Sequence, residues 1–270
     1  MADVMSKMCI NQSAATILEA MGIEKGTDMA NSNPAVLEKM NACFHGEKAD
    51  KLILYNPDAI ALWLYQKYTD LFTDAIAASD MAIPLLSVMP SVTPVCFASI
   101  YSGLLPQKHG IMKYEKPVLT CETAFDVFIK AGKKVAIVCT DGDSISRIFL
   151  ERPIDYFFYP TVDEVNQKAE ELINKGGHDV IVIYNGNYDA TMHKNGPEAE
   201  ISLKQIEKNA YMYRYFVNLV KEKWAQYNVM CGFMPDHGCH EIDGDCGSHG
   251  LDMAEDMNVI HMYSFLKKRI

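Results

Sequence analysis

Four acidic or hydroxyl residues stand just past stretches that read as strand ends: Asp58, Thr93, Asp189 and Asp236. In an open parallel sheet the carboxyl ends of the strands share one edge, where ligands bind, so four such residues from four strands converge. Singly, each reads as a turn or cap residue. Histidines add to the set. Asp189-Ala-Thr-Met-His193 places a carboxylate and an imidazole four residues apart, a spacing that one helical turn or a tight loop brings onto one metal ion. Asp236-His237-Gly238 offers two adjacent ligands with a glycine that permits a sharp turn, and Ser248-His249-Gly250 offers a further imidazole. Carboxylates and imidazoles without clustered cysteines suit zinc, manganese or a similar ion at an open catalytic site better than a closed structural zinc. Cys231, Cys239, His240 and Cys246 lack paired Cys-x-x-Cys spacing. His45, His178 and His261 read as structural or solvent-facing.

Thr93 carries the other half of the chemistry. A β-type run, Ile83 to Val88, leads towards it, and Pro94 follows, which a helix tolerates in its first turn. A hydroxyl at that junction reads as an N-cap. It also faces the free N–H groups and positive dipole end of a helix, where phosphate and other anions bind.

The elements that must hold these residues follow from the apolar pattern. Residues 11–45 read as two or more short helices, built on Ile17, Leu18, Met21 and Ile23 and on Val36, Leu37 and Met40. They form an N-terminal appendage, residues 1–50, packed on a main domain of residues 51–270. In that domain strands are expected at Lys51–Tyr55, Ile83–Val88, Val135–Cys139, Ile154–Phe158, Asp179–Tyr184, Val229–Met234 and Asn258–Phe265. Helices are expected at about 60–77, after Thr93, and at 121–130, 163–175 and 197–226, with a long polar loop before the last strand. Leu203, Ile206, Ala210, Tyr213, Val217, Val220 and Trp224 recur at spacings of three and four, so the longest helix has one apolar face. Short apolar strands alternating with helices predict an α/β fold, a mainly parallel sheet covered on both faces.

Composition narrows the function. At 270 residues and 49% hydrophobic, the chain can bury a sizeable core. A net charge of −10 argues against nucleic-acid polymers and anionic membranes as partners, though bound metal ions would still admit a phosphorylated substrate. Met1 to Met21 do not read as a signal peptide. The uncharged run Ala82 to Gln107 is interrupted by Pro84, Pro90, Pro94 and Pro106, so it reads as strand, loop and helix rather than a membrane span. Eight cysteines without framework spacing fit a reducing cytoplasm.

Three segments together resemble the alkaline phosphatase superfamily, in the branch of type I phosphodiesterase and nucleotide pyrophosphatase-like proteins. They are Met89-Pro-Ser-Val-Thr93 through His109-Gly-Ile, Asp189 through His193 to Gly196-Pro197, and Asp236-His237-Gly238 followed by Ser248-His249-Gly250. The resemblance implies hydrolysis of a small phosphoric ester at two divalent metal ions, commonly zinc and sometimes manganese, through a phospho-threonine on Thr93. It implies Asp58, Thr93, Asp236 and His237 as ligands of one ion and Asp189, His193 and His249 as ligands of the other, with a structural role for His109. Phosphomutase or phosphonate hydrolase activity, or a non-catalytic binding role, are the alternatives it leaves open. Relatives often carry a phosphate-binding Asn three residues after the nucleophile. Here that substrate-binding position is Cys96, a weak donor. There is also little room for the inserted cap of many relatives, which leaves residues 1–50 and the 238–247 loop as specificity candidates, the loop's charges otherwise reading as a solvated loop.

Overall fold

The computed structural model describes residues 7–269. Residues 1–6, which open both the stretch read for a signal peptide and the N-terminal unit, and residue 270 lie outside the described residues.

Two helices, α1 (Ser13–Ala20) and α2 (Pro34–Phe44), precede the first strand, β1 (Lys51–Pro57). Asn33 caps α2, its side chain accepting from Ala35 N at 3.1 Å, with Pro34 in the first turn. The helix expected over 60–77 is broken into α3 (Leu62–Lys67), a 3₁₀ turn (Thr69–Phe72) and α4 (Thr73–Ala78). The Thr69 hydroxyl donates to Tyr65 O at 2.8 Å and the Thr73 hydroxyl to Asp70 O at 2.7 Å. Such local bonds compete with a continuous helix, and an apolar-periodicity reading does not see them.

Strand β2 (Met81–Leu86) leads to α5 (Thr93–Ser102) and the short α6 (Pro106–His109), followed by α7 (Ala124–Lys130), β3 (Val135–Thr140), α8 (Ser144–Ile148), β4 (Asp155–Tyr159) and α9 (Val162–Lys175). Every residue of α5 is buried. The long uncharged run is therefore a strand, a loop and an enclosed helix, and among the described residues no helix is long and apolar enough to cross a membrane. Strand β5 (Val180–Asn185), α10 (Asn187–Asn195), α11 (Glu200–Lys223) and β6 (Val229–Phe233) complete the parallel part. The polar stretch after β6 is not a plain loop. It holds the hairpin β7 (His240–Ile242) and β8 (Cys246–Ser248), then α12 (Ala254–Met257), before β9 (Asn258–Leu266).

The main sheet has seven strands in the order β2-β9-β6-β1-β5-β3-β4. Strand β9 pairs antiparallel with both β2 and β6, while the other neighbours are parallel. Because β9 alone is reversed, the ends of β1, β2, β5 and β6 that lead to the polar residues all lie along one edge. Alternate residues of β1 feed opposite cores: Leu52 and Leu54 pack with α1, α2, α5 and α7, and Ile53 and Tyr55 with α9, α10 and α11. Both faces are covered, so the strands read as unbroken apolar runs.

Candidate metal centre

Asp58 follows β1 directly, and its backbone N donates to Asn185 O at 3.1 Å. Ala59, in the left-handed region at φ 62°, turns the chain so that its N–H donates to Asp236 Oδ1 at 3.3 Å. The Tyr184 hydroxyl donates a short hydrogen bond to Asp58 Oδ2. Asp236 and His237 come from the turn after β6. That turn is held by Ser87 Oγ donating to Asp236 O at 2.7 Å and by His261 Nε2 donating to Pro235 O at 2.9 Å. Thr93 opens α5 with its hydroxyl 3.3 Å from His237 Nε2. Its hydroxyl is no cap: it accepts from no backbone N–H of the helix, which leaves it to the site.

Asp189 and His193 share one face of α10, as their spacing requires. His249 comes from the segment after β8. Gly247 packs so tightly on α10 that a Cβ there would stand 2.4 Å from Met192 Sδ, and this closeness lets Gly247 O meet His193.

Among the described residues, two clusters of three side chains could hold a metal ion: Asp58, Asp236 and His237, and Asp189, His193 and His249. The two differ in exposure. Asp58, Asp236 and His237 are fully buried, with Thr93 beside them 4% exposed, whereas the His193 side chain is 40% exposed. The second group therefore lies at the mouth of the site and the first beneath it.

The donor atoms fit a cation. Each imidazole commits Nδ1 to a backbone carbonyl: His193 to Gly247 O at 2.9 Å, His237 to Gly238 O at 2.9 Å and His249 to Ser91 O at 3.0 Å. With Nδ1–H donating, each neutral ring turns the lone pair of Nε2 into the site, the arrangement of a metal-ligating histidine. Those lone pairs meet carboxylate oxygens. His237 Nε2 is 3.4 Å from both Asp58 Oδ1 and Asp236 Oδ2, and Asp189 Oδ1 is 3.2 Å from His193 Nε2 and 3.4 Å from His249 Nε2. The Nε2 atoms of His193 and His249 are themselves 3.1 Å apart. Asp58 Oδ1, Asp189 Oδ1 and Asp236 Oδ2 are buried and receive no well-directed hydrogen bond. Buried oxygens with nothing donating to them are costly unless something positive compensates.

Without a cation, protons must do this. Burial, then the charge of Asp189, pushes Asp58 up to about 7. Burial and neighbouring Asp58 hold Asp236 well above the carboxylate range. Burial and the charge of His249 hold His237 well below the usual imidazole value. In the second group the short contact with Asp189, outweighing burial, pushes His193 up to about 9. A divalent ion in each group would displace these protons and pair all three carboxylates.

Cys96 makes no hydrogen bond to the ligand side chains, though Asp236 and Asp58 lie close enough to add to the burial that pushes its thiol up. One turn into α5, its fully buried thiol lies 3.2 Å from Ser87 Oγ and 3.9 Å from Val88 O, under the loop that leads to Thr93. The sequence spacing places it one turn from Thr93, but the helix turns its thiol away from solvent. His109 is structural: Ser99 Oγ lies 3.0 Å from its Nε2, and its Nδ1 accepts from Ile111 N at 3.2 Å. His240 is tied to Asp256 at 2.7 Å, and Cys231 and Cys239 are buried elsewhere in the core. Tyr184, Ser91 and Gly247 support the ligands through contacts that only the assembled fold shows.

The backbone has known counterparts. Human ectonucleotide pyrophosphatase/phosphodiesterase 5 superposes with a TM-score of 0.60 at 14% identity, covering 79% of this chain and 87% of that one. An alkaline phosphatase-like fold is the result. An inactive threonine-to-alanine variant of the murine ectonucleotide pyrophosphatase/phosphodiesterase 5, in complex with AMP, matches with a TM-score of 0.55 at 15% identity over 72% of this chain and 59% of that one. Phosphonoacetate hydrolase from Sinorhizobium meliloti, in complex with phosphonoacetate, matches with a TM-score of 0.55 at 17% identity over 74% and 61%. The chain thus spans about three-fifths of the length of the last two. No protein-family model and no curated protein sequence matches it.

Proposed function

We propose that this protein hydrolyses a small phosphoric ester, as a phosphodiesterase, nucleotide pyrophosphatase or phosphatase, with Thr93 as nucleophile and two divalent metal ions, zinc or manganese. The observation that carries the reading is Thr93 Oγ1 beside His237 Nε2, within two groups whose imidazole Nε2 atoms meet three buried carboxylate oxygens that accept no hydrogen bond. Asp58, Asp236, His237 and Thr93 would hold one ion, and Asp189, His193 and His249 the other. Bound there, such ions lower the cost of an alkoxide and neutralise charge on phosphoryl oxygens.

The chain's own residues do the rest. Thr93 Oγ1, fixed at the start of α5, gives up its proton to solvent and forms a bond to phosphorus as the bond to the leaving oxygen breaks, the leaving oxygen taking a proton from solvent. The leaving group departs through the open side, where His193 is exposed. Water then cleaves the phospho-threonine, releasing phosphate or a phosphomonoester and restoring the hydroxyl. The enclosed floor formed by Asp58, Asp236 and His237 excludes bulk water from Thr93.

Fold likeness to a protein solved with AMP supports a small phosphorylated ligand, and likeness to phosphonoacetate hydrolase supports phosphonate hydrolysis as a second reading. All eight cysteines carry free thiols, which supports a reducing, cytoplasmic setting. A panel of aryl phosphomonoesters, phosphodiesters and phosphonates, assayed with zinc and with manganese, tests the proposal. Turnover of at least one phosphoric ester that is abolished by chelation and restored by metal is expected. Turnover of phosphonates alone selects the second reading, and protein that binds neither metal and turns over nothing rejects both.

A further inference from the structure

His237 and His249 belong to different ligand groups but flank a single excursion of the chain, through the hairpin β7–β8. Asp256 in α12 closes it. The residue is fully buried and lies in neither ligand group. Its backbone O accepts from Gly238 N at 2.8 Å, its Oδ1 lies 2.7 Å from His240 Nδ1, and its Oδ2 accepts from Leu251 N at 2.8 Å. Both carboxylate oxygens are thus spent on the loop itself.

The three bonds divide unequally between the two groups. The Gly238 bond uses only backbone and survives any change of side chain. His237 is further fixed by β6 and by the packing of Gly238 on Glu255. His249 has less support. It follows the end of β8, its ring is tied to Ser91 O, and the chain just beyond it is held by the Leu251 N–H on Asp256 at 2.8 Å and by a longer bond, 3.4 Å, from Ser91 Oγ to Leu251 O.

We infer that the Asp256 carboxylate is a positioning element for one metal site only: it fixes the Leu251 end of the loop, and so His249 against Asp189 and His193, without touching the ion. The inference rests on the two-ion reading above. Outer partners of ligating histidines commonly change metal affinity by about 10- to 100-fold.

The test is a zinc titration of metal-stripped protein against a chromogenic chelator. Wild type is expected to take up two ions. In Asp256→Ala one ion binds as in wild type and the other about 100-fold more weakly; in Asp256→Asn, which keeps an acceptor for Leu251 N, the same ion is weakened about 10-fold. Single-site backgrounds assign the loss: the effect appears in Asp58→Ala protein, which keeps the second group, and is missing in Asp189→Ala protein. Far-UV circular dichroism establishes folding, and if the alanine variant does not fold the asparagine variant decides. Unchanged binding in the folded variants, or equal weakening of both ions, overturns the inference. Failure of wild type to bind zinc or manganese would instead reject the metal reading on which it rests.

Discussion

The rings of His237 and His249 stack, with centroids 4.0 Å apart and planes 29° from parallel, although they belong to separate ligand groups. Each ring is pinned by a carbonyl at Nδ1, so neither can turn away from the other. A proton on one would place a charge against its neighbour's face. The charge of His249 is accordingly among the causes that hold His237 low. The two groups therefore share one electrostatic problem, which a cation in each would answer where protons do so only in part.

A dependence on pH follows. Asp58, pushed up to about 7 in cation-free protein, has an unfolded value of about 3.9. A folded pKa above the unfolded one favours the protonated form in the fold, so this contribution is complete below about 4 and is lost as pH rises through about 7. Asp236 is shifted in the same direction. Asp189, held low by His193 and His249 against the effect of burial, is already ionised across this window and adds no slope. Metal binding has the opposite sign, because it requires ionised carboxylates. Calorimetric Tm values measured from pH 5 to 8 with chelator and with zinc should diverge as pH rises. Parallel curves would count against cation binding by this ring.

Thr93→Ala should remove the proposed nucleophile and one of the four proposed ligands of the first ion, while leaving Asp58, Asp236 and His237 in place. Loss of turnover on the order of 10⁴-fold or more is expected, with stability changed by no more than about 1 kcal/mol. Zinc stoichiometry and turnover, measured on the same preparation, check this. Activity close to wild type would remove Thr93 from the chemistry.

Cys96→Ala addresses the position where relatives often carry Asn. The buried thiol bonds to Ser87 and Val88 and to none of the ligand side chains, so the substitution is expected to cost on the order of 1 kcal/mol of stability. KM should stay within about twofold of wild type. A KM raised about tenfold at unchanged stability would return Cys96 to the substrate.

Much of this arrangement was legible in the residues themselves. Asp58, Thr93, Asp189 and Asp236 stand past strand ends, and a parallel sheet gathers such residues at one edge whatever the rest of the chain does. The Asp189–His193 pair needed only the helical repeat. What escaped depends on contacts between distant segments. The reversed direction of β9 leaves no mark in its own apolar sequence. Asp243-Gly244 is a hairpin-turn dipeptide, but with charged flanks the stretch reads only as a polar loop. Cys96 came from the resemblance, which says nothing of the side on which Ser87 and Val88 close over the thiol.

Gly238 gives the sharpest link between sequence and site. A Cβ there would fall 1.9 Å from Glu255 O and 2.9 Å from Ala61 Cβ. The first obstacle is backbone, and the Gly238 N–H bond to Asp256 O at 2.8 Å holds the same two segments together. Neither segment can withdraw without moving His237, the neighbouring candidate ligand. Gly238→Ala should therefore lose at least about 2 kcal/mol of stability, at the upper part of the range for overpacked sites. It should also bind zinc more weakly at the Asp58–Asp236–His237 group. Urea unfolding with and without zinc separates the two effects, because the stabilisation zinc gives should shrink along with the intrinsic stability. Wild-type stability with full zinc affinity would mean that the approach of the 238 and 255 segments is looser than the structure has it, and that His237 owes its position to β6 alone.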